Sequence, residues 1–295
     1  MGLFSNKGPA IGIDLGTNNL LIYVRNEGIV VNEPTIIAMD SKTQKVLAVG
    51  EKAKAMQGRT HAGIHIVRPI RDGVITDFTA TSALLQHYVK ELSTKRFASR
   101  KPFIVVSMPT DITAVERRAV VEATIQAGAK EAIVVEDTVA AAIGAGLPVW
   151  EPTGSMIVDI GGGTTEVAII SLGGVVVSNS IKVGGDEMDQ LITKHVKNKH
   201  QLLIGEATAE HIKNNIFNEE QNGKMIVGGR DVVKGLPQKI ELTATEVEHV
   251  LKEAVDQINA VIKQTLELTP PELAGDIIER GLFLSGGVAL LPGLD

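Results

Sequence analysis

The chain has 295 residues, a length typical of about two domains. It contains no cysteine, which excludes disulfide bonds, thiolate metal sites and cysteine nucleophiles. The net charge of −6 and the aromatic content of 3% argue against a basic or base-stacking surface, so no nucleic acid is expected as a partner.

In the first half of the chain, short β-rich runs alternate with helical periods, which is typical of an α/β fold. Strands are predicted at residues 10–25, where a glycine turn divides two of them, and at 28–40, 103–107 and 132–135. Helices are predicted at residues 79–92, from the capping box of Thr113 and Glu116 to Gly128, and at 138–145.

The same alternation begins again near Met156. Strands are predicted at residues 156–160, 166–171 and 174–180, and a helix at 186–199. A second helix is opened by the capping box of Thr243 and Glu246 and is expected to stop at the prolines 270 and 271. Residues 221–239 are polar and rich in glycine, and we interpret them as short strands or surface loops.

One sequence pattern occurs in both halves. The run IDLGTNN at residues 13–19 is similar to VDIGGGTT at residues 158–165, and each contains an apolar strand, one aspartate and a turn of small residues. The two aspartates, Asp14 and Asp159, are 145 residues apart, which is about the length of one domain. The repeat predicts duplicated halves that face each other across a ligand-binding cleft.

The two repeated turns have the composition of phosphate-binding loops. Glycine lets backbone N–H groups approach an anion closely, while threonine and asparagine add side-chain donors. The predicted phosphate ligands are Gly16, Thr17, Asn18, Asn19, Gly161, Gly162, Gly163 and Thr164. Asp14 and Asp159 are predicted to hold Mg²⁺ through water, because Mg²⁺ prefers carboxylate and water oxygens. Either turn alone is equally typical of a glycine hairpin, so the nucleotide prediction depends on the pair.

Two further places carry polar or small residues after a strand. The sequence SGGVA at residues 285–289 is a third glycine turn, suited to support an adenine ring through Gly286, Gly287, Val288 and Ala289. Glu136 and Asp137 offer a carboxylate that can orient a water molecule, although a helix N-cap explains the same pair. His61 and His65 have no third ligand nearby, and the other five histidines show no metal-binding pattern.

These motifs give the chain a resemblance to the actin superfamily and, within it, to the MreB branch of bacterial actins. The resemblance runs from about residue 10 to residue 295. Its most specific segments are IGIDLGTNN at 11–19, NEPT at 32–35, RPIRDGVITDF at 68–78, ITAVERRAV at 112–120, AAAIGAGLPV at 140–149, DIGGGTTEVAIISLGG at 159–174, GGDEMDQ at 184–190 and TPPELAGDIIERG at 269–281.

The resemblance implies an α/β actin-like fold of two duplicated domains, divided into four subdomains around an ATP cleft. The expected division is 1–30 and 68–140 for subdomain IA, 31–67 for IB, 141–181 and 241–295 for IIA, and 182–240 for IIB. It also implies ATP or ADP with Mg²⁺ as cofactor, nucleotide contacts from Gly185, Glu210 and Lys213, and hydrolysis that involves Asp137, Thr164 and Glu136. For partners, the family implies self-assembly into antiparallel double filaments.

Several residues depart from the family pattern. The family's Glu-Glu-Pro reads Glu136-Asp137-Thr138, so the carboxylate expected to position the attacking water is one methylene shorter. The family's Lys-Ile-Glu reads Lys213-Asn214-Asn215, which loses a carboxylate, and Val288 replaces a third glycine. We therefore expect a diverged paralogue with slow ATP hydrolysis. Relatives continue beyond the position of Asp295, so the last part of subdomain IA is expected to be absent.

A cytoplasmic location is expected, because the sequence shows no secretory signal and no membrane span. Leu3 and Phe4 precede Lys7, and Phe97 lies among lysines and arginines, a pattern suited to an anionic membrane surface. A frayed terminus and a solvated loop explain this pattern equally well. Relatives bind membranes through these two regions, which favours peripheral contact.

The sequence favours an actin-like protein that binds Mg-ATP, forms filaments and weakly hydrolyses ATP in cell shape or a related cytoskeletal role. A nucleotide-binding filament scaffold with little or no hydrolysis is an alternative, as is another ATPase or kinase of the same superfamily. A sugar kinase needs a catalytic base beside its substrate and a chaperone ATPase needs a substrate domain, and neither is visible in the sequence.

Overall fold

The computed structural model describes residues 9–95, 101–110, 112–218 and 222–294. The chain divides into two compact units, Met1–Leu147 and Pro148–Asp295. Each unit has its own hydrophobic core, as expected for a domain. No described helix combines the length and the apolar character needed to cross a membrane.

The first unit consists of a main sheet, two small sheets and four described helices. Its strands are β1 (Ala10–Leu15), β2 (Asn19–Val24), β3 (Gly28–Pro34), β4 (Ile37–Asp40), β5 (Val46–Val49), β6 (Ile64–Val67), β7 (Ile70–Arg71), β8 (Val74–Ile75), β9 (Phe103–Met108) and β10 (Glu131–Glu136). Its helices are α1 (Gly50–Lys54), α2 (Phe78–Lys95), α3 (Ala114–Gln126) and α4 (Asp137–Gly144). The main sheet has the strand order β10-β9-β1-β2-β3, and the small sheets are β5-β4-β6 and β7-β8.

The second unit is built in a similar way around a four-stranded sheet. Its strands are β11 (Ser155–Ile160), β12 (Thr165–Ser171), β13 (Gly174–Ile181), β14 (Leu202–Leu203), β15 (Lys224–Asp231), β16 (Pro237–Thr243) and β17 (Leu282–Ser285). Its helices are α5 (Gly185–His200), α6 (Glu206–Asn215), α7 (Ala244–Glu267) and α8 (Pro271–Arg280), followed by a 3₁₀ turn at Val288–Leu290. The sheets have the orders β13-β12-β11-β17 and β14-β15-β16.

Side-chain alternation along the first strand explains where its aspartate lies. Ile11, Ile13 and Leu15 are buried and belong to the core that includes Leu84 of α2. Because successive side chains of a strand point to opposite faces, Asp14 lies on the other face, where it is exposed. The strand therefore presents a carboxylate near its carboxyl end while its apolar residues hold the sheet to the helices.

Four strands of each main sheet share one topology, and β10 is an additional strand at the edge of the first sheet. β1 and β2 are antiparallel, as are β2 and β3, and β9 adds to the other edge of β1 in parallel. In the second unit β11, β12 and β13 repeat the antiparallel meander, and β17 adds to β11 in parallel. The first strand of each meander is the one that carries Asp14 or Asp159. This shared topology agrees with the duplicated halves predicted from the sequence repeat.

The predicted helices and strands occur in the structure with small changes at their ends. The described part of residues 221–239, which we interpret from the sequence as short strands or surface loops, contains β15 and the start of β16, and these two strands pair antiparallel. The prolines at 270 and 271 do end α7, but Pro271 also begins α8, since the first turn of a helix needs no N–H donor there.

The two predicted capping boxes differ in the structure. At α3, the Thr113 side chain accepts from the Glu116 backbone N–H, and the Glu116 carboxylate accepts from the Thr113 N–H in return. At α7, the Thr243 hydroxyl accepts from the Glu246 N–H at 3.3 Å, but the Glu246 carboxylate lies against histidines of α5 instead.

Candidate functional site

The first predicted loop follows Asp14 at the end of β1. Asp14 is paired in register with Ser107 of β9, whose hydroxyl lies 3.5 Å from the Asp14 Oδ1 atom. A Cβ atom at Gly16 would lie only 2.7 Å from the Asn19 carbonyl oxygen, so the turn requires glycine. The result is a tight turn directly after an exposed carboxylate.

The side chains of the first loop are held within the first unit. The Thr17 hydroxyl accepts from the Gly73 N–H at 3.1 Å, and Asn18 accepts from the Arg68 guanidinium. The Asn19 amide donates to Asn32 at 2.9 Å. These contacts fix the shape of the loop, and the role of the three side chains as phosphate donors stays a prediction.

Thr35 connects the loop to the NEPT segment. Its hydroxyl donates to the Gly16 carbonyl at 2.8 Å, and its backbone N–H donates to the Asn18 carbonyl at 2.8 Å. Thr35 is 1% exposed, so both bonds are shielded from water. The sequence marked NEPT as a family motif, and the structure gives it a physical role in bracing the loop.

The second predicted loop follows Asp159 at the end of β11. Asp159 is paired in register with Ser285 of β17. Burial raises the pKa of Asp159, against the lowering effect of a hydrogen bond from Ser285. The Gly161 N–H donates to the Thr164 carbonyl at 2.9 Å, which closes the turn. Both units therefore place an aspartate opposite a serine of the parallel neighbouring strand, immediately before a glycine turn.

The start of α5 is joined to the second loop by backbone hydrogen bonds. The Gly185 N–H donates to the Gly161 carbonyl at 3.1 Å, and the Asp186 N–H donates to the Gly162 carbonyl at 2.8 Å. A Cβ atom at Gly184 would lie 2.6 Å from the Gly161 oxygen and 2.8 Å from the Gly162 oxygen. Sequence reasoning missed Gly184, because only the folded loop shows how closely it passes.

The predicted nucleoside-side residues Gly185, Lys213 and Val288 come together in the second unit. A Cβ atom at Gly185 would lie 3.0 Å from the Lys213 Nζ atom and 3.4 Å from the Val288 Cγ2 atom. Buried Lys213 donates to the Gly185 carbonyl at 2.8 Å and pairs with Asp189 at 2.9 Å. Lys213 is thus an anchor between α6 and α5, a role that its spacing in the sequence does not reveal.

Asp189, the carboxylate partner of Lys213, has a raised pKa. Burial raises the pKa of Asp189 to about 6, against the opposing effect of the Lys213 ammonium. Glu210, another predicted contact residue, acts in the same direction as burial, since its negative charge raises the pKa of Asp189 further. The structure therefore places Glu210 in the electrostatic surroundings of this ion pair.

The third glycine turn packs against the second loop. Gly286 has a φ of +88°, and a Cβ atom there would lie 2.3 Å from the Ile160 carbonyl oxygen, so no other residue fits without rearrangement. Gly287 is exposed and Ala289 half-buried, while the Val288 side chain is buried in the core of the second unit. Valine is tolerated at the position of the family's third glycine because its side chain points into that core.

Glu136 and Asp137 lie where β10 meets α4. The strand continues through Glu136, which pairs with Met108, and Asp137 is the first residue of the helix. Among the described residues, the Glu136 Oε2 atom has no hydrogen-bond partner although it is shielded from solvent. An unpaired buried carboxylate oxygen is costly and is typical of a functional position.

These residues fit a nucleotide with hydrated Mg²⁺. Gly16 and Gly286 each occupy a tight turn in which a Cβ atom would clash with a backbone carbonyl oxygen, so both turns depend on glycine. Asp14 and Asp159 supply the oxygen ligands that Mg²⁺ accepts directly or through water. The predicted site residues thus fall into one cluster in each unit, except that Glu136 and Asp137 lie at a separate strand end.

A family model described as MreB/Mbl protein matches residues 8–295. The cell shape-determining protein Mbl of Bacillus subtilis (strain 168) is 49% identical over 288 residues, which cover 97% of this chain and 86% of Mbl. The cell shape-determining protein MreB of Escherichia coli (strain K12) is 47% identical over 301 residues, which cover 100% of this chain and 86% of that MreB.

Solved structures give the same result. MreB5 of Spiroplasma citri bound to AMPPNP matches with a TM-score of 0.88 and 39% identity, over 96% of this chain and 86% of that one. MreB5 bound to ADP matches with a TM-score of 0.89 and 40% identity over the same shares. The MamK double helical filament is similar in fold alone, with a TM-score of 0.76 and 20% identity, over 98% of this chain and 88% of that one. The predicted α/β actin-like fold is confirmed.

Proposed function

The chain belongs to the MreB/Mbl family, and from this premise we propose that it is an actin-like cytoskeletal protein that binds Mg-ATP, assembles into filaments and slowly hydrolyses ATP. Its named relatives are cell shape-determining proteins, and MreB5 was solved with AMPPNP and with ADP. The observation that carries the proposal is the repeated strand-end aspartate, paired with a serine and followed by a glycine turn in both units.

We assign the phosphates of ATP to the two aspartate-glycine loops. Backbone N–H groups of residues 16–19 and 161–164 bind phosphate oxygens, and Asp14 and Asp159 hold Mg²⁺ through water. Bound Mg²⁺ neutralises the charge that develops on the phosphates during transfer. Gly185, Glu210, Lys213 and residues 286–289 border the nucleoside in this proposal, with Lys213 acting through its bond to the Gly185 carbonyl.

Hydrolysis requires a water molecule placed in line with the γ-phosphorus atom. We assign its orientation to Asp137 together with Thr164, and Glu136 is the second candidate because its buried Oε2 atom has no partner among the described residues. Aspartate is one methylene shorter than the family's glutamate, and a displacement of about 1 Å can cost about 10²-fold in rate. This shorter reach supports slow hydrolysis and also favours the alternative of a filament scaffold with little turnover.

ATP-dependent pelleting and phosphate release together test the proposal. We expect the wild-type chain to pellet with ATP and to release phosphate slowly. Asp137→Glu should release it faster, by up to about 10²-fold, and Asp137→Ala should abolish release. If Asp137→Ala retains the wild-type rate while Glu136→Gln loses it, the role belongs to Glu136. ATP-dependent pelleting without phosphate release in any of these chains would favour the scaffold, and no pelleting would contradict the filament proposal.

Location and finer assembly are part of the same proposal. We assign the chain to the cytoplasm, at the inner face of the membrane, with four subdomains and antiparallel double filaments, as the family resemblance implies. The predicted membrane residues Leu3, Phe4 and Phe97 lie outside the described residues. Co-sedimentation of filaments with anionic liposomes tests the contact, and binding that is unaffected by Phe97→Ala and by deletion of residues 1–7 would contradict it.

A further inference from the structure

Two histidines and a glutamate meet in the second unit, at the end of α5 and the start of α7. The Glu246 Oε1 atom lies 2.6 Å from the His195 Nε2 atom and 2.7 Å from the His200 Nε2 atom. The coordinating atoms of all three side chains lie within 4.8 Å of one another. No other described residues form such a group of three. No sequence pattern predicted this group, because the two histidines are 51 and 46 residues from the glutamate.

The contacts of Glu246 differ from those expected at its position in α7. Glu246 stands third in α7, where a capping-box glutamate returns its carboxylate to the backbone N–H of the N-cap. Glu116 does so at α3, whereas the Glu246 carboxylate lies against His195 and His200. The Glu246 carboxylate therefore contacts the two imidazoles in place of the N-cap backbone N–H.

We propose that His195, His200 and Glu246 form a binding site for a divalent transition metal ion, with Zn²⁺ the best match. Two imidazole nitrogens and one carboxylate oxygen are a donor set typical of zinc sites that keep a fourth position for water. Mg²⁺ is a poor match because it prefers oxygen ligands. The site is therefore chemically distinct from the proposed Mg-ATP site.

The geometry needs only a small adjustment to admit the ion. Zinc bonds of about 2.0–2.2 Å in a tetrahedral arrangement place neighbouring ligand atoms about 3.4 Å apart. The present nitrogen–oxygen distances of 2.6 and 2.7 Å are hydrogen bonds, so each must open by less than 1 Å. The ligand atoms of the two histidines, which lie within 4.8 Å of each other, must reach the same spacing, and side-chain rotation can supply both movements. The two histidine side chains are 25% and 21% exposed, which leaves a path for the ion and its water ligand.

One cation competes for the same carboxylate. The Lys199 ammonium lies 3.1 Å from the Glu246 Oε1 atom, but the lysine side chain is 57% exposed and can turn into solvent. Zinc binding would replace this ion pair and the two histidine hydrogen bonds, with each Nε2 proton moving to Nδ1 or to solvent so that the nitrogen lone pair faces the metal. The bound ion would then link the last two turns of α5 to the first turn of α7.

The test uses the full chain after removal of metals by a chelator, without nucleotide and with excess Mg²⁺ to occupy carboxylate sites. Zn²⁺ is titrated by calorimetry, and Co²⁺ serves as a spectroscopic probe of the coordination. We expect saturable binding of one Zn²⁺ per chain, a higher Tm when it is bound, and intense visible Co²⁺ bands of a four-coordinate site. His200→Ala and Glu246→Gln should each weaken Zn²⁺ binding by more than about tenfold.

His211→Ala is the matched control, because His211 is exposed on α6 of the same unit and contacts Asn215. It should bind Zn²⁺ like the wild-type chain. Should an alanine variant fail to fold, His200→Gln and the Co²⁺ spectrum of the wild-type chain still decide the question. No saturable binding, or equal affinity in the wild-type, Glu246→Gln and His200→Gln chains, would overturn the proposal. Neither result depends on ATP binding, so failure of the zinc proposal would leave the proposed function untouched, and the reverse also holds.

Discussion

Gly184 packs closely against the second loop, to which the proposed function assigns phosphate binding. Its backbone is extended, with φ of −166°, so alanine is conformationally allowed there. The added Cβ atom would lie 2.6 Å from the Gly161 carbonyl oxygen, and the loop would have to move away. We predict that Gly184→Ala weakens ATP binding by at least tenfold, about 1.4 kcal/mol.

A titration with a fluorescent ATP analogue measures this loss. Gly228→Ala is the control, since Gly228 lies in β15 of the same unit and a Cβ atom there has no atom within 4 Å. Equal affinity of the Gly184→Ala and wild-type chains would show that the second loop does not bind the nucleotide.

The buried pair of Asp189 and Lys213 predicts a pH dependence of stability. Burial raises the pKa of Asp189 to about 6 from an ordinary value of 3.8, so the folded chain holds the proton more tightly than the unfolded chain. This contribution to the free energy of unfolding is fully present below pH 4 and is lost as the pH rises to 6, by up to about 3 kcal/mol.

Chemical denaturation of the wild-type and Asp189→Asn chains at several pH values isolates this effect. The stability difference between the two chains should change between pH 4 and 6 and stay constant above that range. Asp256→Asn removes an exposed aspartate paired with Lys252 and serves as the control. Parallel stability curves for the wild-type and Asp189→Asn chains would contradict the prediction.

At the scale of elements, local sequence patterns correctly predicted most of the longer helices and strands. Alternation of apolar residues marked β1, and Thr113 with Glu116 marked the start of α3, because both signals depend on neighbours in sequence. The pair β15 and β16 was ambiguous, since most of its residues are exposed and its apolar alternation is weak.

Side-chain contacts between different helices could not be predicted from the sequence. Glu246 was expected to complete a capping box, yet its carboxylate contacts two histidines of another helix. Lys213 was expected beside the nucleoside, and the fold gives it an ion pair with Asp189 on α5. Both outcomes depend on which helices pack together, which is set by the tertiary fold rather than by local spacing.

At the scale of the whole molecule, the two units repeat one structural plan. Each unit carries the same meander with an added parallel strand, and the same aspartate-serine pair at the strand end. Their surroundings are not identical, because Asp14 is exposed whereas burial raises the pKa of Asp159. The proposed function gives both carboxylates the same task, since each can accept hydrogen bonds from water ligands of Mg²⁺.

The duplication therefore predicts that both aspartates support the Mg²⁺-dependent part of ATP binding. Asp14→Asn and Asp159→Asn should each reduce ATP affinity by about tenfold with Mg²⁺ present, because each removes one charged acceptor for the water ligands of the metal. With EDTA, both variants should bind ATP about as weakly as the wild-type chain. Asp40→Asn, at an exposed turn of the first unit, is the control. If only one of the two variants loses Mg²⁺-dependent affinity, the repeat is a duplication of fold, and a single unit supplies the metal site.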